Sequence, residues 1–328
     1  MTQNIETAAR SLGGRNCLRP GFAFGHVKVQ NPAFQQARRE FPYSGPVTVS
    51  VPGCAPFQMM YDNDDIVAGV CFYFGEGSYE TLSTTIFGVF SQRSNHVIDL
   101  GGHTGIFSCI AASASRSVTV HYFEILPHIA ERAHLNFLAS GLEGQMRLNA
   151  VGVSRAPGRM IVNYNANVKF ATGSSIETFA DRAKAKGAAQ LEVTVTTLDD
   201  YWRDAGRPRF DLMKIDVERH ELAVFAGGQG MLSTCRPVIL SEVLSRAEFQ
   251  SYFDALAPLG YTHAYKIDDD ALKLLEVDRA LKFADGSDYV YRGYHNVIFS
   301  AGALDRQIMA ETSAALARSR VGASRLAV

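Results

Sequence analysis

The sequence predicts an α/β fold built on an open, doubly wound and mostly parallel sheet. Three observations carry that expectation. From about residue 96, short β-rich runs alternate with longer helical ones, the pattern of strands joined by crossover helices. Consecutive runs end in an acid, first Asp99 and then Glu124. The hydrophobic fraction of 47% over 328 residues supplies a core for one large domain, or a domain with an extension.

The elements follow in order. HVIDL (96–100) reads as the first strand, and Thr104 to Ser115 as a small-residue helix. VTVHYFE (118–124) is the second strand. Pro127 then stands where a helix begins, and Ile129, Ala133 and Phe137 recur every four residues up to Ala139, with Gly141 as the stop. QMRLNAV (145–151), FDLMKID (210–216) and PVILSEV (237–243) give three more strands, with a helix from Glu221 to Met231 before the last of them. A helix from Arg246 to Leu256 and strands at 261–267 and 289–300 complete a core domain over 96–300. Residues 153–197, with RMIVNYN and LEVTVTT, read as an insertion between the third and fourth core strands. Residues 1–95, with VTVSV and IVAGVCFYF, read as a β-containing cap, and 301–328 as an alanine- and arginine-rich helical tail that leaves self-association open.

Composition excludes several classes. Lys and Arg total 32 against 33 Asp and Glu, a net charge of -1, which argues against a chain held on nucleic acid by bulk electrostatics. The longest apolar run, Ile66 to Phe74, is half of what a membrane span needs, and MTQNIETAAR lacks an apolar secretion core. The expectation is a cytoplasmic protein with no membrane and no nucleic-acid partner. Cys17, Cys54, Cys71, Cys109 and Cys235 are scattered and odd in number, which fits buried thiols better than disulfides or a zinc ribbon.

The most informative stretch is Asp99-Leu-Gly-Gly-His-Thr-Gly105. Ligands of open parallel sheets bind beyond the carboxyl ends of strands, and Gly101, Gly102 and Gly105 let backbone pass close beneath them. A phosphate-cradling loop would need a lysine after Gly105, and a dinucleotide fingerprint would need glycines where His103 and Ile106 stand. Neither phosphate reading fits. Glu124 is placed to accept hydrogen bonds from a ribose diol, and Asp99 suits an ammonium group or the ordering of the loop. A nucleoside bearing an amino acid and no phosphate meets both demands: S-adenosylmethionine. The plain alternative is a strand-end acid that only caps the next helix.

FDLMKIDVERHE (210–221) forms a second constellation, a lysine and several acids around a strand end. Asp216 closes that strand and Glu242 the next, so Asp99, Glu124, Asp216 and Glu242 line one rim. So many like charges need a cation, and a sulfonium or a divalent metal would serve. No metal-ligand spacing appears, and no metal residue is assigned. Glu218 and Glu221 share a helix face only if the helix begins by Val217. Capping and helix-dipole roles are the simpler account of each acid alone.

VIDLGGHTGIFS (97–108), FEILP (123–127), Asn136, AVGVS (150–154), TLDDYW (197–202), DLMKIDVERHELAVFAGG (211–228) and RPVILSEV (236–243) resemble the FkbM-type methyltransferases, as does GSYET (77–81). The family pattern runs D-x-G-A-N-x-G, E-P, T-L-D, K-I-D-x-E-G-x-E and P-x-x-x-x-E. The resemblance implies a seven-stranded Rossmann-like sheet, S-adenosylmethionine as methyl donor, and a hydroxyl acceptor on a sugar or natural product. It places Asp99, Gly101, Gly102, His103, Gly105, Glu124, Val151 and Asp216 at the cofactor, and Asp216, Glu218 and Glu221 on the acidic block. HNVIF (295–299) falls on the last strand. The chain departs from the pattern at His103 (asparagine), Gly102 (alanine), Ile125 before the displaced Pro127, and Arg219-His220 (glycine).

Chemistry would then require alignment of a nucleophilic oxygen and a base to take its proton. Candidate bases are Asp216, His103, Glu218, His220 and His263, with Asp216 preferred. Phe72, Tyr73, Phe74 and Tyr79 would wall a pocket for a small-molecule or glycan acceptor. The alternatives are a nicotinamide-dependent oxidoreductase on a similar sheet and a non-catalytic nucleoside-binding protein.

Overall fold

Hydrophobic residues of the first flank fill one face of the sheet that follows. The computed structural model describes residues 32–75, 77–166, 188–279, 282 and 295–318. Cys17, the start of the cap (1–31), the middle of the insertion (167–187), the beginning of the last strand (289–294) and the end of the tail (319–328) lie outside the described residues. The flank opens with α1 (Pro32–Glu40), followed by β1 (Ser44–Val49) and β2 (Phe57–Asp62), an antiparallel pair. Next come α2 (Ile66–Phe74) and α3 (Thr81–Ser91).

The run IVAGVCFYF is a helix, where an aromatic strand was expected. Asp65 caps it by accepting from Val67 N at 2.9 Å, and Gly75 at φ 90° ends it. Because the helix is buried on nearly every side it has no polar face, so a short apolar run shows neither period. Phe72, Tyr73 and Phe74 are core residues with at most 2% exposure, and the Tyr73 hydroxyl donates to Phe41 O at 2.7 Å. They wall no pocket.

The core domain alternates as expected: β3 (His96–Leu100), α4 (Ile106–Ala114), β4 (Thr119–Phe123), α5 (Pro127–Ala139) and β5 (Met146–Asn149). After the insertion come α6 (Leu198–Asp204), β9 (Leu212–Ile215), α7 (Glu221–Ala226), α8 (Gln229–Cys235), β10 (Val238–Val243) and α9 (Arg246–Leu256). The chain then runs through β11 (His263–Asp268), β12 (Lys273–Val277), β13 (His295–Ser300) and α10 (Arg306–Arg318). The insertion supplies β6 (Gly152–Val153), β7 (Gly158–Asn165) and β8 (Ala188–Thr196), which form a three-stranded sheet in the order β6-β8-β7.

The central sheet runs β12-β11-β13-β10-β9-β3-β4-β5. The strands from β5 through β10 are parallel, and β13 enters antiparallel between β10 and β11. Seven of these are the strands expected. The eighth, β12, folds back on β11 through a turn in which Asp268 accepts from Asp270 N and Ala271 N at 3.1 and 2.8 Å. The helix expected from Glu221 to Met231 is two helices, broken at Gly227-Gly228, where glycine weakens a helix by ~1 kcal/mol each.

Side chains alternate across the strands, so the two faces carry two cores. Val97, Val120, Tyr122, Leu212 and Leu240 face α4 and the flank, together with Phe34, Phe74, Phe87 and Ile110. Ile98, Leu100, Phe123, Met213, Ile215 and Ile239 face α6 to α9 with Phe249 and Phe253. Among the described residues no helix is long and apolar enough to cross a membrane.

Candidate active site

The parallel strands deliver Asp99, Glu124, Asp216 and Glu242 to one end of the sheet, each at or just beyond its strand's last residues. Gly101 N and Gly102 N both donate to Phe123 O, at 3.0 and 2.9 Å, which folds the turn over the neighbouring strand. Gly101 stands at φ 71°, and a Cβ there would lie 1.9 Å from Asp216 O. Only glycine lets the β3 turn and the end of β9 approach so closely. At Gly102 a Cβ would meet the Tyr122 ring at 2.5 Å. That ring occupies the space of the family's alanine methyl, and its hydroxyl donates to His103 O at 2.5 Å. His103 has φ 47°, the left-handed region that asparagine tolerates well and histidine better than most residues.

Asp99 is 1% exposed and accepts from Ser108 Oγ at 2.7 Å, so it orders the first turn of α4. Burial pushes its carboxyl up to about 6, against the Ser108 hydrogen bond and the Lys214 charge, which pull it down. Glu124 is 7% exposed; Oε2 accepts from His103 N at 3.1 Å and Oε1 from Leu126 N at 2.9 Å. Burial raises its pKa too. Pro127, two positions later than in the family pattern, is the first residue of α5 after Leu126. Val151 is half-buried against the second core, in the link from β5 to β6.

Two residues bolt this turn to the flank. Asn136 donates to Thr104 O at 2.7 Å and accepts from Met60 N at 2.6 Å. Asp65, fully buried, caps α2 with one oxygen and accepts from Thr104 Oγ1 at 2.8 Å with the other.

Asp216 follows β9, and its N–H donates to Leu100 O at 3.0 Å. Lys214, 2% exposed, reaches Asp216 Oδ2 at 3.1 Å and lies 5.1 Å from the Phe107 ring centre. Burial alone would lower the lysine's pKa, but Asp216, Glu80 and Glu242 raise it beyond its ordinary value. Glu242 is opposite Asn296 in the β10–β13 register, and Asn296 Nδ2 donates to Glu80 Oε2 at 2.8 Å. Glu80 holds φ 40° ahead of α3, a costly conformation for glutamate. Burial, then Asp216, pushes Glu242 well above the usual carboxylate range. Burial, then Glu80, Asp216 and Glu242, does the same to the Tyr79 hydroxyl. Of the four aromatics expected around the acceptor, Tyr79 alone stands at this rim.

The other predicted residues divide differently. Glu218 (φ 55°) and Arg219 (φ 73°) precede α7, so Glu218 and Glu221 share no helix face. Arg219 keeps the left-handed backbone of the family's glycine, and its Nε lies 3.5 Å from Glu248 Oε1. Glu221 is a buried strut that accepts from Val217 N at 3.0 Å and from the Tyr252 hydroxyl at 2.6 Å. Burial pushes it up to about 7. His220 is 2% exposed with Nε2 2.9 Å from Ser154 Oγ, packed between α7 and the insertion rather than open on the rim. His263 begins β11, which runs parallel to β10, so it lies at the far end of the sheet. Neither stands open on the rim.

The sequence matches the profile described as the methyltransferase FkbM domain over residues 99–278, more than half of the chain. The chain belongs to the FkbM methyltransferase family. Its cofactor is S-adenosylmethionine. Among solved structures, the chain is similar to a methyltransferase FkbM from Methylobacillus flagellatus KT, at 12% identity and TM-score 0.37. That match covers 63% of this chain and 43% of the other, so this FkbM chain spans less than half of it. It is also similar to a SAM-dependent methyltransferase from Agrobacterium tumefaciens, at 12% identity, 80% and 73% coverage and TM-score 0.41. An O-methyltransferase from Bacillus cereus in complex with SAH matches at 13% identity, 66% and 79% coverage and TM-score 0.35. No curated protein matches the sequence.

The residues present fit the FkbM cofactor. The two Glu124 oxygens are each fixed by one backbone N–H and keep a lone pair for a ribose diol. Among the described residues, His103 Nε2 is buried in the turn with no hydrogen-bond partner. The acids along the rim outnumber Lys214, which suits a cationic sulfur centre.

Proposed function

We propose that this FkbM-family chain methylates a hydroxyl group of a sugar or natural-product small molecule in the cytoplasm. The observation that carries the reading is the rim beyond β9 and β10. Glu80, Asp216 and Glu242 face Lys214 there, an arrangement rich in acceptors that donating hydroxyls can use. When bound, S-adenosylmethionine supplies a methyl already activated by its sulfonium. The chain's own work is to hold, align and keep dry. Glu124 takes the ribose hydroxyls, Asp99 orders the turn and faces the amino-acid end, and α3 with Tyr79 closes the acceptor side. Lys214 holds Asp216 beside the turn. Alignment of this kind is worth several kcal/mol, ~7–11 in the best intramolecular cases.

Incubation with S-adenosylmethionine carrying a 13C methyl and a panel of sugars, polyketide alcohols and amines tests the assignment. The expected product shows its labelled carbon at an O-methyl chemical shift. Label recovered only at N-methyl positions would overturn the hydroxyl assignment and leave the family unaffected.

A further inference from the structure

Asp216, the carboxylate that the sequence favours as base, is already occupied, because Lys214 Nζ sits 3.1 Å from its Oδ2. The neighbouring strand ends in a carboxylate of a different kind. Glu242 is partly exposed, opens on the same rim, and among the described residues has no hydrogen-bond or ion-pair partner. Its place is set by register. Ser241 pairs with Ile215, which puts Glu242 beside Asp216, and Asn296 stands opposite it on β13 with its amide turned to Glu80.

We propose that Glu242 takes the proton of the methyl acceptor, and that Lys214 and Asp216 are positioning residues. The proposal rests on the hydroxyl-methylation reading above. As the new O–CH3 bond forms, the C–S bond breaks with its electron pair going to sulfur, and the acceptor's proton passes to a Glu242 oxygen. Atoms and charge balance within the crevice: one positive charge is lost at sulfur and one negative charge at Glu242. The groups facing Glu242 explain why the two losses are linked. Asp216, Glu218 and Glu80 repel its negative charge, Lys214 attracts it from beyond ion-pair reach, and Tyr79 stands beside the same acids. Burial further disfavours the ionised form. A sulfonium beside this group offsets those effects and keeps it ionised; a neutral thioether does not.

That difference can be read without knowing the acceptor. Titration calorimetry in buffers of different ionisation enthalpy gives the protons taken up when S-adenosylmethionine and S-adenosylhomocysteine bind near neutral pH. The wild-type protein should take up more protons with S-adenosylhomocysteine, by up to about one. Glu242→Gln should abolish the difference while still binding both compounds, and Asp216→Asn should retain it. An equal uptake in the wild type overturns the proposal. So does a difference that survives Glu242→Gln, or one lost only in Asp216→Asn. Absence of binding by either compound to the wild type would instead remove the cofactor reading beneath it. Thermal melts of both variants confirm that they are folded.

Discussion

At the scale of single residues, the departures from the family pattern are explained by their neighbours. Gly102 replaces alanine because the Tyr122 ring stands where the methyl would be. Gly102→Ala should therefore destabilise the chain by about 1–3 kcal/mol, the ordinary cost of overpacking. The double variant with Tyr122→Leu should recover part of that loss. Urea denaturation of the two variants checks the pair; a single variant as stable as wild type would show that the ring yields freely. His103 and Arg219 keep the left-handed backbone of the asparagine and glycine they replace, so the turns persist at a conformational cost. Strand-end acids were legible in the sequence because they follow apolar β runs directly. The roles of Glu221 and His220 were not, since burial by α9 and the insertion is decided by packing far along the chain. Glu80 was equally hidden: its partner Asn296 is 216 positions away.

Elements show a similar division. The parallel strands and α5 were legible because each has period, length and a terminator, such as Pro127 at the head of α5. The helix α2 was not, because total burial erases the polar side that would reveal its period. β12 escaped notice because it belongs to a hairpin built on Asp268 rather than to the crossover rhythm. The start of α3 depends on a distant cap. Asp269 accepts from Leu82 N and Ser83 N at 2.7 and 3.0 Å, and from Ser83 Oγ at 2.7 Å. Asp269→Ala should cost about 1–2 kcal/mol, the usual loss of a helix cap. It should also speed amide hydrogen exchange at Leu82 and Ser83 without affecting α9. Unchanged protection at those amides would show that α3 begins without the cap.

Across the whole molecule, charge is balanced in total but not in place. Near-neutral net charge coexists with carboxyls buried at one end of the sheet, and their titration shapes stability. Asp99 at about 6 and Glu221 at about 7 bind protons more tightly folded than unfolded. Their contribution to stability is therefore full below about pH 4 and falls as pH rises through 6 to 7. Glu221→Gln, which stays neutral, should be more stable than wild type above pH 7, by about 1–3 kcal/mol, and should lose that advantage at pH 4–5. Chemical melts across this range test it, and an advantage independent of pH would refute the titration account. At this scale, flank residues such as Phe34 and Phe87 share one apolar cluster with residues of β3 and β4.

Asn136 and Asp65 grip the backbone and hydroxyl of one residue, Thr104, while their other atoms hold Met60 and the first turn of α2. The glycine loop, strand β2 of the outer hairpin and the start of α2 are thus tied together through Thr104. A reporter group on that hairpin tests this tie: its signal should change on filling of the crevice in the wild type and not after Asn136→Ala, which removes the link to Met60.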